Sequence, residues 1–175
     1  MNKLKSVKVK AAIDENPDFS TIGEYTDKAE EWSICRCCGE YVAELPEGHV
    51  EPPIGRACRY FNPFAAGCSV EEEGTEDYKL YGKQDFERAE AYNRGDWNYI
   101  GITAEATISY STGNGSFRLE WLSSGGLWGI ESDSGDEYLN ELKDEQLADL
   151  KQHLERFNVD LSEWDEMTKD LELED

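Results

Sequence analysis

The sequence predicts an α+β fold: an antiparallel sheet packed with two or more helices, plus a Cys-rich loop insertion. Three observations predict it. Residues 97–110 alternate apolar and polar side chains over a long stretch, the period of a half-buried strand. Residues 136–157 repeat leucine at helical spacing. Residues 33–75 hold all five cysteines and four of the five prolines, a composition poor in regular structure. At 175 residues the chain is long enough to bury one self-sufficient core. The expected organisation is a single domain, 1–175, with 33–75 as a loop-rich insertion or subdomain and 162–175 as an acidic tail.

Val7, Val9, Ala11 and Ile13 alternate with Lys8, Lys10 and Ala12, which predicts a first strand over about residues 4–13. Asp14 to Asp27 is turn-rich, and Asn16-Pro17 breaks the pattern. After the insertion, Phe86, Ala89 and Tyr92 share one face of a helix over 76–94, and Gly95 is its stop. Ile100, Ile102, Ala104, Ala106, Ile108 and Tyr110 then form the apolar set of the clearest strand. Thr112-Gly113-Asn114-Gly115 reads as a hairpin turn. The return strand would place Phe117, Leu119 and Trp121 inward and Arg118 and Glu120 outward. Leu127 to Ile130 is a short further strand. Ser134 with Glu137 matches a capping box, and opens a helix whose apolar face is Leu139, Leu142, Leu147, Leu150, Leu154 and Phe157. Ser162 with Asp165 suggests a second cap, with Trp164, Met167 and Leu171 on the buried side and a frayed end beyond.

The 39 acidic and 17 basic residues leave a net charge of −22. Such a chain is repelled by duplex DNA and by acidic lipid, so neither direct nucleic-acid binding nor membrane association is expected. No run of about 18 apolar residues is present to span a bilayer. The basic start, MNKLKSVKVK, lacks the apolar core of a signal peptide, which points to the cytoplasm. Residues 131–175 hold 17 acidic residues against Lys143, Lys151, Arg156 and Lys169, a local net charge of −13. Glu137, Glu141 and Glu145 repeat at i, i+4, with Asp144 on the same side and Asp149 toward the edge of the apolar face. Like charges at that spacing cost a few tenths of a kcal/mol per pair. Two readings follow: a solvated face, or a surface that meets cations. The most cation-rich surfaces in a cell are clefts that bind nucleic acid, and an acidic helix can occupy one in place of phosphates.

Cys35, Cys37, Cys38, Cys58 and Cys68 lie within a short stretch. Cys35-Arg36-Cys37-Cys38-Gly39 contains the Cys-x-x-Cys-Gly spacing of a zinc knuckle, whose turn aims two thiolates at one ion. The candidate ligand set is Cys35, Cys38, Cys58 and Cys68, with Cys37 or His49 able to replace one. A metal would stabilise a segment with so little apolar matter. Free thiols and a redox role stay open, whereas disulfides are disfavoured by the odd count and the absence of an export signal.

No catalytic motif stands out. His153 reads as a surface residue beside Leu154. No Gly-x-Ser-x-Gly is present, and Thr112–Gly115 lacks the Lys-Ser/Thr of a phosphate loop. Glu131 to Glu137 resembles a calcium loop but has Gly135 where an oxygen ligand belongs. Trp128, flanked by glycines, is a candidate contact residue.

Ser124-Gly125-Gly126-Leu127-Trp128-Gly129-Ile130-Glu131-Ser132-Asp133-Ser134, with Tyr138-Leu139 and Glu145-Gln146-Leu147, resembles a signature of a family of uncharacterised phage and mobile-element proteins. Gly95 to Ala106, Asn16 to Ser20 and Ile22-Gly23-Glu24-Tyr25 resemble the same group, and the likeness covers about half the chain. It implies a phage-type genetic context and a bacterial host cell, and carries no activity or functional residues with it.

The expectation is a non-enzymatic accessory protein that binds and inhibits a basic host protein handling nucleic acid, plausibly a defence factor, by mimicking nucleic-acid charge. Glu137, Glu141, Asp144, Glu145, Asp149 and Trp128 would form the contact. One alternative is a zinc-containing nucleic-acid-binding module using Lys3, Lys5, Lys8, Lys10, Arg36, Arg56 and Arg59. The other is a metal-dependent enzyme.

Overall fold

In the computed structural model, residues 2–50, 58–112 and 115–174 are described. Pro52, Pro53, Arg56 and the Gly113-Asn114 part of the expected turn lie outside them. In chain order the elements are β1 (Asn2–Ile13), β2 (Gly23–Thr26), β3 (Ile34–Cys35), β4 (Tyr60–Pro63), α1 (Glu76–Arg94), β5 (Tyr99–Ser111), β6 (Phe117–Ser123), β7 (Leu127–Glu131), α2 (Asp136–Arg156), β8 (Val159–Asp160), α3 (Trp164–Thr168) and β9 (Leu173–Glu174). The fold is α+β, as the alternating and helical patterns predict.

The chain divides into two compact units, Met1–Pro17 with Trp97–Asp175, and Asp18–Asp96. A single domain was the expectation. The second unit lies, in sequence, between two paired strands of the first. β1 runs antiparallel to β5 from Lys3 opposite Ser109 to Ile13 opposite Ile100, and the Asp14 N–H donates to the Tyr99 carbonyl at 2.8 Å. The two ends of the insert therefore leave neighbouring strand ends, the arrangement that tolerates an inserted domain.

In the larger unit, β6 and β7 both pair antiparallel with β5. β8 and β9 pair parallel with β1, so the sheet is mixed rather than purely antiparallel. Leu4, Val7 and Val9 of β1, and Ile102, Ala104, Ala106 and Ile108 of β5, bury one face of it against Leu147, Leu150 and Leu154 of α2. Burying a leucine side chain fully is worth about 1.5–3 kcal/mol, so this stripe is what seats α2. The end of the chain is anchored rather than frayed: Leu171 and Leu173 pack on the core, and Lys143 Nζ donates to the Leu171 carbonyl at 3.0 Å.

Two local expectations are corrected. The N-cap of α2 is Gly135, with no side-chain cap, because the Ser134 N–H closes a turn onto the Glu131 carbonyl. Phe157 is 55% exposed: the helix stops at Arg156, and Asn158 takes a left-handed φ of 50° that turns the chain into β8.

The facing of β6 is also reversed. Ala106 stands opposite Leu122 and Ile108 opposite Glu120. Cross-strand partners share a face, so the even residues of β6 lie on the α2 side and Leu122 packs on the core. Phe117, Leu119 and Trp121 therefore occupy the other face, 73%, 56% and 72% exposed. Register, not the apolar character of the stripe, decides this.

The insert has its own three-stranded sheet, β2-β4-β3. Ile34, Tyr41, Ala65 and Tyr78 form its buried cluster. Helix α1, expected to cover the main sheet, packs within the insert on β2, β4 and the 3-10 turn Ala65–Gly67. Its Tyr78 meets Trp32 and Tyr41, and its Phe86 meets Phe61. Thr75 caps its start by accepting from the Tyr78 N–H, and Gly95 ends it at φ 79°.

Candidate metal centre

β3 ends at Cys35, with Ile34 and Cys35 paired to Phe61 and Tyr60 of β4. The chain then turns: the N–H groups of Cys38 and Gly39 both donate to the Cys35 carbonyl, at 3.4 and 2.8 Å. Gly39 sits at φ 74°, the left-handed position such a turn requires. This is the turn expected from Cys-x-x-Cys-Gly, and it gathers the thiols of Cys35, Cys37 and Cys38.

A second turn supplies the fourth donor. His49 N–H donates to the Pro46 carbonyl at 3.0 Å, and Gly48 takes φ 83°, which is the third position of a type II turn. His49 Nε2 then lies 3.5 Å from Cys35 Sγ and 3.6 Å from Cys37 Sγ. Cys35 and Cys37 sulfurs are 3.1 Å apart. All four donor atoms lie within 4.8 Å of one another, Cys35 buried, His49 half-buried, Cys37 and Cys38 exposed. These residues can hold a metal ion. The hydrogen bond with the Cys35 sulfur, followed by burial, pushes the Cys37 thiol up to about 12.

Of the candidate set Cys35, Cys38, Cys58 and Cys68, the structure brings together the first two and adds both Cys37 and His49. Cys68 packs with Trp32 and Phe86 on the insert's apolar cluster. Cys58 stands outside the group too, and its carbonyl accepts from Arg36 Nη1 at 3.2 Å. All five cysteines are free thiols.

Arg36, between two of the candidate ligands, belongs to the contact set of the alternative nucleic-acid-binding module. It instead ties the turn to α1. Its Nε and Nη2 donate to Glu90 Oε1 at 2.8 and 2.7 Å, and its guanidinium lies 4.5 Å over the Tyr25 ring. Tyr25 donates to the same carboxylate at 2.9 Å. Burial, then that hydrogen bond, pushes the Tyr25 hydroxyl well above its ordinary range. Three more residues of that alternative contact set also meet carboxylates. Lys8 and Lys10 both meet Glu105, at 3.4 and 2.9 Å, and Arg59 meets Asp27 at 3.9 Å.

The acidic residues of α2 separate into two groups. Glu137, Glu141, Asp144 and Glu145 are exposed, on the side opposite the buried leucines, and no described ion pair involves them. Asp149 differs. Its carboxylate accepts from the Gly125 N–H at 3.0 Å and lies 3.7 Å from His153 Nε2. With Gln146, which accepts from the Gly126 N–H at 3.0 Å, it clamps the β6–β7 connection. The same connection explains much of the Ser124–Ser134 signature. The Ser124 hydroxyl accepts from the Ala104 N–H at 3.0 Å, and the Ser132 hydroxyl from the Asn98 N–H at 2.9 Å. Trp128 lies across Gly101 of β5, where any Cβ would meet its ring, and stays 54% exposed.

No helix among the described residues is long and apolar enough to cross a membrane. Comparison of the chain with protein-family models, with curated proteins and with solved structures returns no match.

Proposed function

We propose that this is a non-enzymatic binding protein that docks a basic protein through the outer face of α2, in the manner of an accessory protein that occupies a nucleic-acid-handling host factor. One observation carries the reading: Glu137, Glu141, Asp144 and Glu145 form an exposed carboxylate row that no ion pair among the described residues involves. The two lysines of α2 are committed elsewhere. Lys143 reaches Asn140 and the Leu171 carbonyl, and Lys151 lies 3.9 Å from Asp165 and 5.5 Å over the Trp164 ring. Trp128 and its exposed ring are a second contact in this reading, whereas Asp149 serves the fold.

Zinc is the ion proposed for the Cys35, Cys37, Cys38 and His49 group, in a structural role. With Zn–S of about 2.3 Å and Zn–N of about 2.0–2.1 Å, a tetrahedral site has donor–donor edges of roughly 3.5–3.8 Å. Two sulfur–nitrogen edges here, 3.5 and 3.6 Å, match that spacing, and the 3.1 Å edge between the Cys35 and Cys37 sulfurs would open on binding. Four protein donors would fill a tetrahedral ion's coordination without an open position for substrate, which supports a structural rather than catalytic ion.

The test of the docking surface is capture from a bacterial lysate at low and high salt by the wild-type protein and by the triple variant Glu137→Lys, Glu141→Lys, Glu145→Lys. A basic protein should be retained by the wild type at low salt, and lost both at high salt and in the variant. Equal retention by the variant refutes the reading. Filter binding at low salt should show no retained DNA.

A further inference from the structure

β6 is an end strand of the larger sheet, in the order β6-β5-β1-β8. Its register shows which backbone groups face outward. The Ser124 N–H donates to the Ala104 carbonyl, and the Thr112 N–H to the Ser116 carbonyl. Glu105 opposite Ser123, and Ser111 opposite Phe117, are therefore pairs without direct hydrogen bonds to each other. By alternation, residues 117, 119, 121 and 123 point their own N–H and C=O groups away from β5. His153 Nδ1 lies 3.2 Å from the Ser123 carbonyl. Among the described residues, nothing bonds the outward groups of Phe117, Leu119 and Trp121. The side chains of these same three residues are the exposed stripe on the face away from α2. Edge strands are usually blunted by lysine, proline or a bulge. β6 has no lysine or proline, and its pairing with β5 is unbroken.

We propose that β6 is a self-association edge, on which two copies of this chain pair antiparallel about a two-fold axis through Leu119. In that register Leu119 faces Leu119 of the second copy, Phe117 faces Trp121, and Arg118 faces Glu120, the last two pairs occurring twice by symmetry. One face of the joined edge becomes a continuous apolar row, the other two salt bridges. Glu120 is already held on the sheet by the Tyr110 hydroxyl, which donates to it at 2.9 Å. The axis falls on a residue whose N–H and C=O face outward, so all three residues use their free backbone groups. Neighbouring symmetric registers fail: an axis through Glu120 opposes two carboxylates, and one through Arg118 opposes two guanidinium groups. Self-complementarity about a single residue is what an isologous two-fold interface requires.

This edge is distinct from the acidic face of α2, and salt tells the two apart. Each copy carries a net charge of −22, so self-association is opposed by long-range repulsion and strengthens as salt screens it. Docking of a basic protein weakens under the same change.

Sedimentation velocity of the full chain, from micromolar to several hundred micromolar, is the test, at about 0.1 M and about 0.5 M salt. The wild type should shift from monomer toward dimer with concentration, more readily at the higher salt. Leu119→Lys, which opposes two lysines on the axis, should stay monomeric with an unchanged circular dichroism spectrum. Arg118→Glu should weaken dimerisation roughly tenfold or more, by replacing two attractions with two repulsions. The exchange Arg118→Glu with Glu120→Arg should restore it to within a few-fold. A wild type that is monomeric throughout, a dimer indifferent to Leu119→Lys, or an exchange variant no better than Arg118→Glu overturns the proposal.

Discussion

Removing the proposed ion should destabilise the insert and leave the larger unit's stability unchanged. All four donors lie in Asp18–Asp96, whose described regular structure is α1, three 3-10 turns and three strands, one of the strands only two residues long. A unit of about 80 residues has about 4–12 kcal/mol of stability. An ion that binds only the folded form adds about 4 kcal/mol when its free concentration is a thousandfold above Kd. Stripping the ion thus removes between a third and all of the insert's stability. For a domain of this size, about 4 kcal/mol corresponds to a fall in Tm of roughly 15–30 °C. The site closes β3 onto the turn at His49, so the loss falls on the insert's sheet. Hydrogen exchange reads it directly: a chelator should lower protection in β3 and β4 while β1 and β5 keep theirs. Two-step urea unfolding gives the same answer, the insert's midpoint moving and the larger unit's staying. Protein purified under reducing conditions without stoichiometric metal, or an insert whose protection ignores the chelator, would refute the reasoning.

Arg36→Ala should leave all four ligands in place yet loosen the turn that carries them, costing about 10-fold or more in metal affinity, measured by competition with a chromophoric chelator. Leu150→Ala, at a site 0% exposed beneath α2, should cost about 2–5 kcal/mol in a urea titration. Gly82→Ala should destabilise the insert although alanine favours helix by about 1 kcal/mol, because its Cβ would fall against the Tyr41 hydroxyl and the Pro63 ring. Overpacking of this kind costs about 1–3 kcal/mol, and adding Tyr41→Phe should recover part of it. Hydrogen bonding to Lys10 holds the Glu105 carboxyl below its usual range. Its contribution is present above the unfolded value of about 4.3 and is lost as pH falls through the lower folded value. Glu105→Gln should therefore flatten the acid limb of stability between pH 7 and pH 3, compared by denaturant midpoints.

The two units make the acidic composition easier to place. Residues 131–175 belong to the larger unit, where the buried leucines of α2 turn its unneutralised carboxylates outward. In the insert many acidic residues have partners: Glu90 holds Arg36, Glu44 holds Lys79 and Glu40 holds Lys83. The charge is therefore not one uniform field: within 131–175 Lys151 meets Asp165, while no described ion pair involves Glu137, Glu141, Asp144 or Glu145. Asp149 shows the limit of that argument, since its helical spacing fits the row while its carboxylate belongs to the β6–β7 loop.

Features set by neighbours a few residues apart were legible in the chain alone. The two-residue period of β5, the leucine stripe of α2, the stop at Gly95 and the Cys-x-x-Cys-Gly turn all appear where the pattern puts them, because each is decided by backbone geometry over one or two turns. Features set by closure over long separations were not. Whether Phe117, Leu119 and Trp121 face the core depends on the pairing of β6 with β5, and one residue of register reverses it. Which thiols gather depends on where the chain returns: His49 comes back to the knuckle on its own turn, whereas Cys68 is drawn into the aromatic cluster beside Trp32. That α1 serves the insert is likewise decided by long-range packing on β2 and β4. Spacing names the candidates, but only the folded chain selects among them, since selection depends on contacts between residues that composition and period leave unpaired.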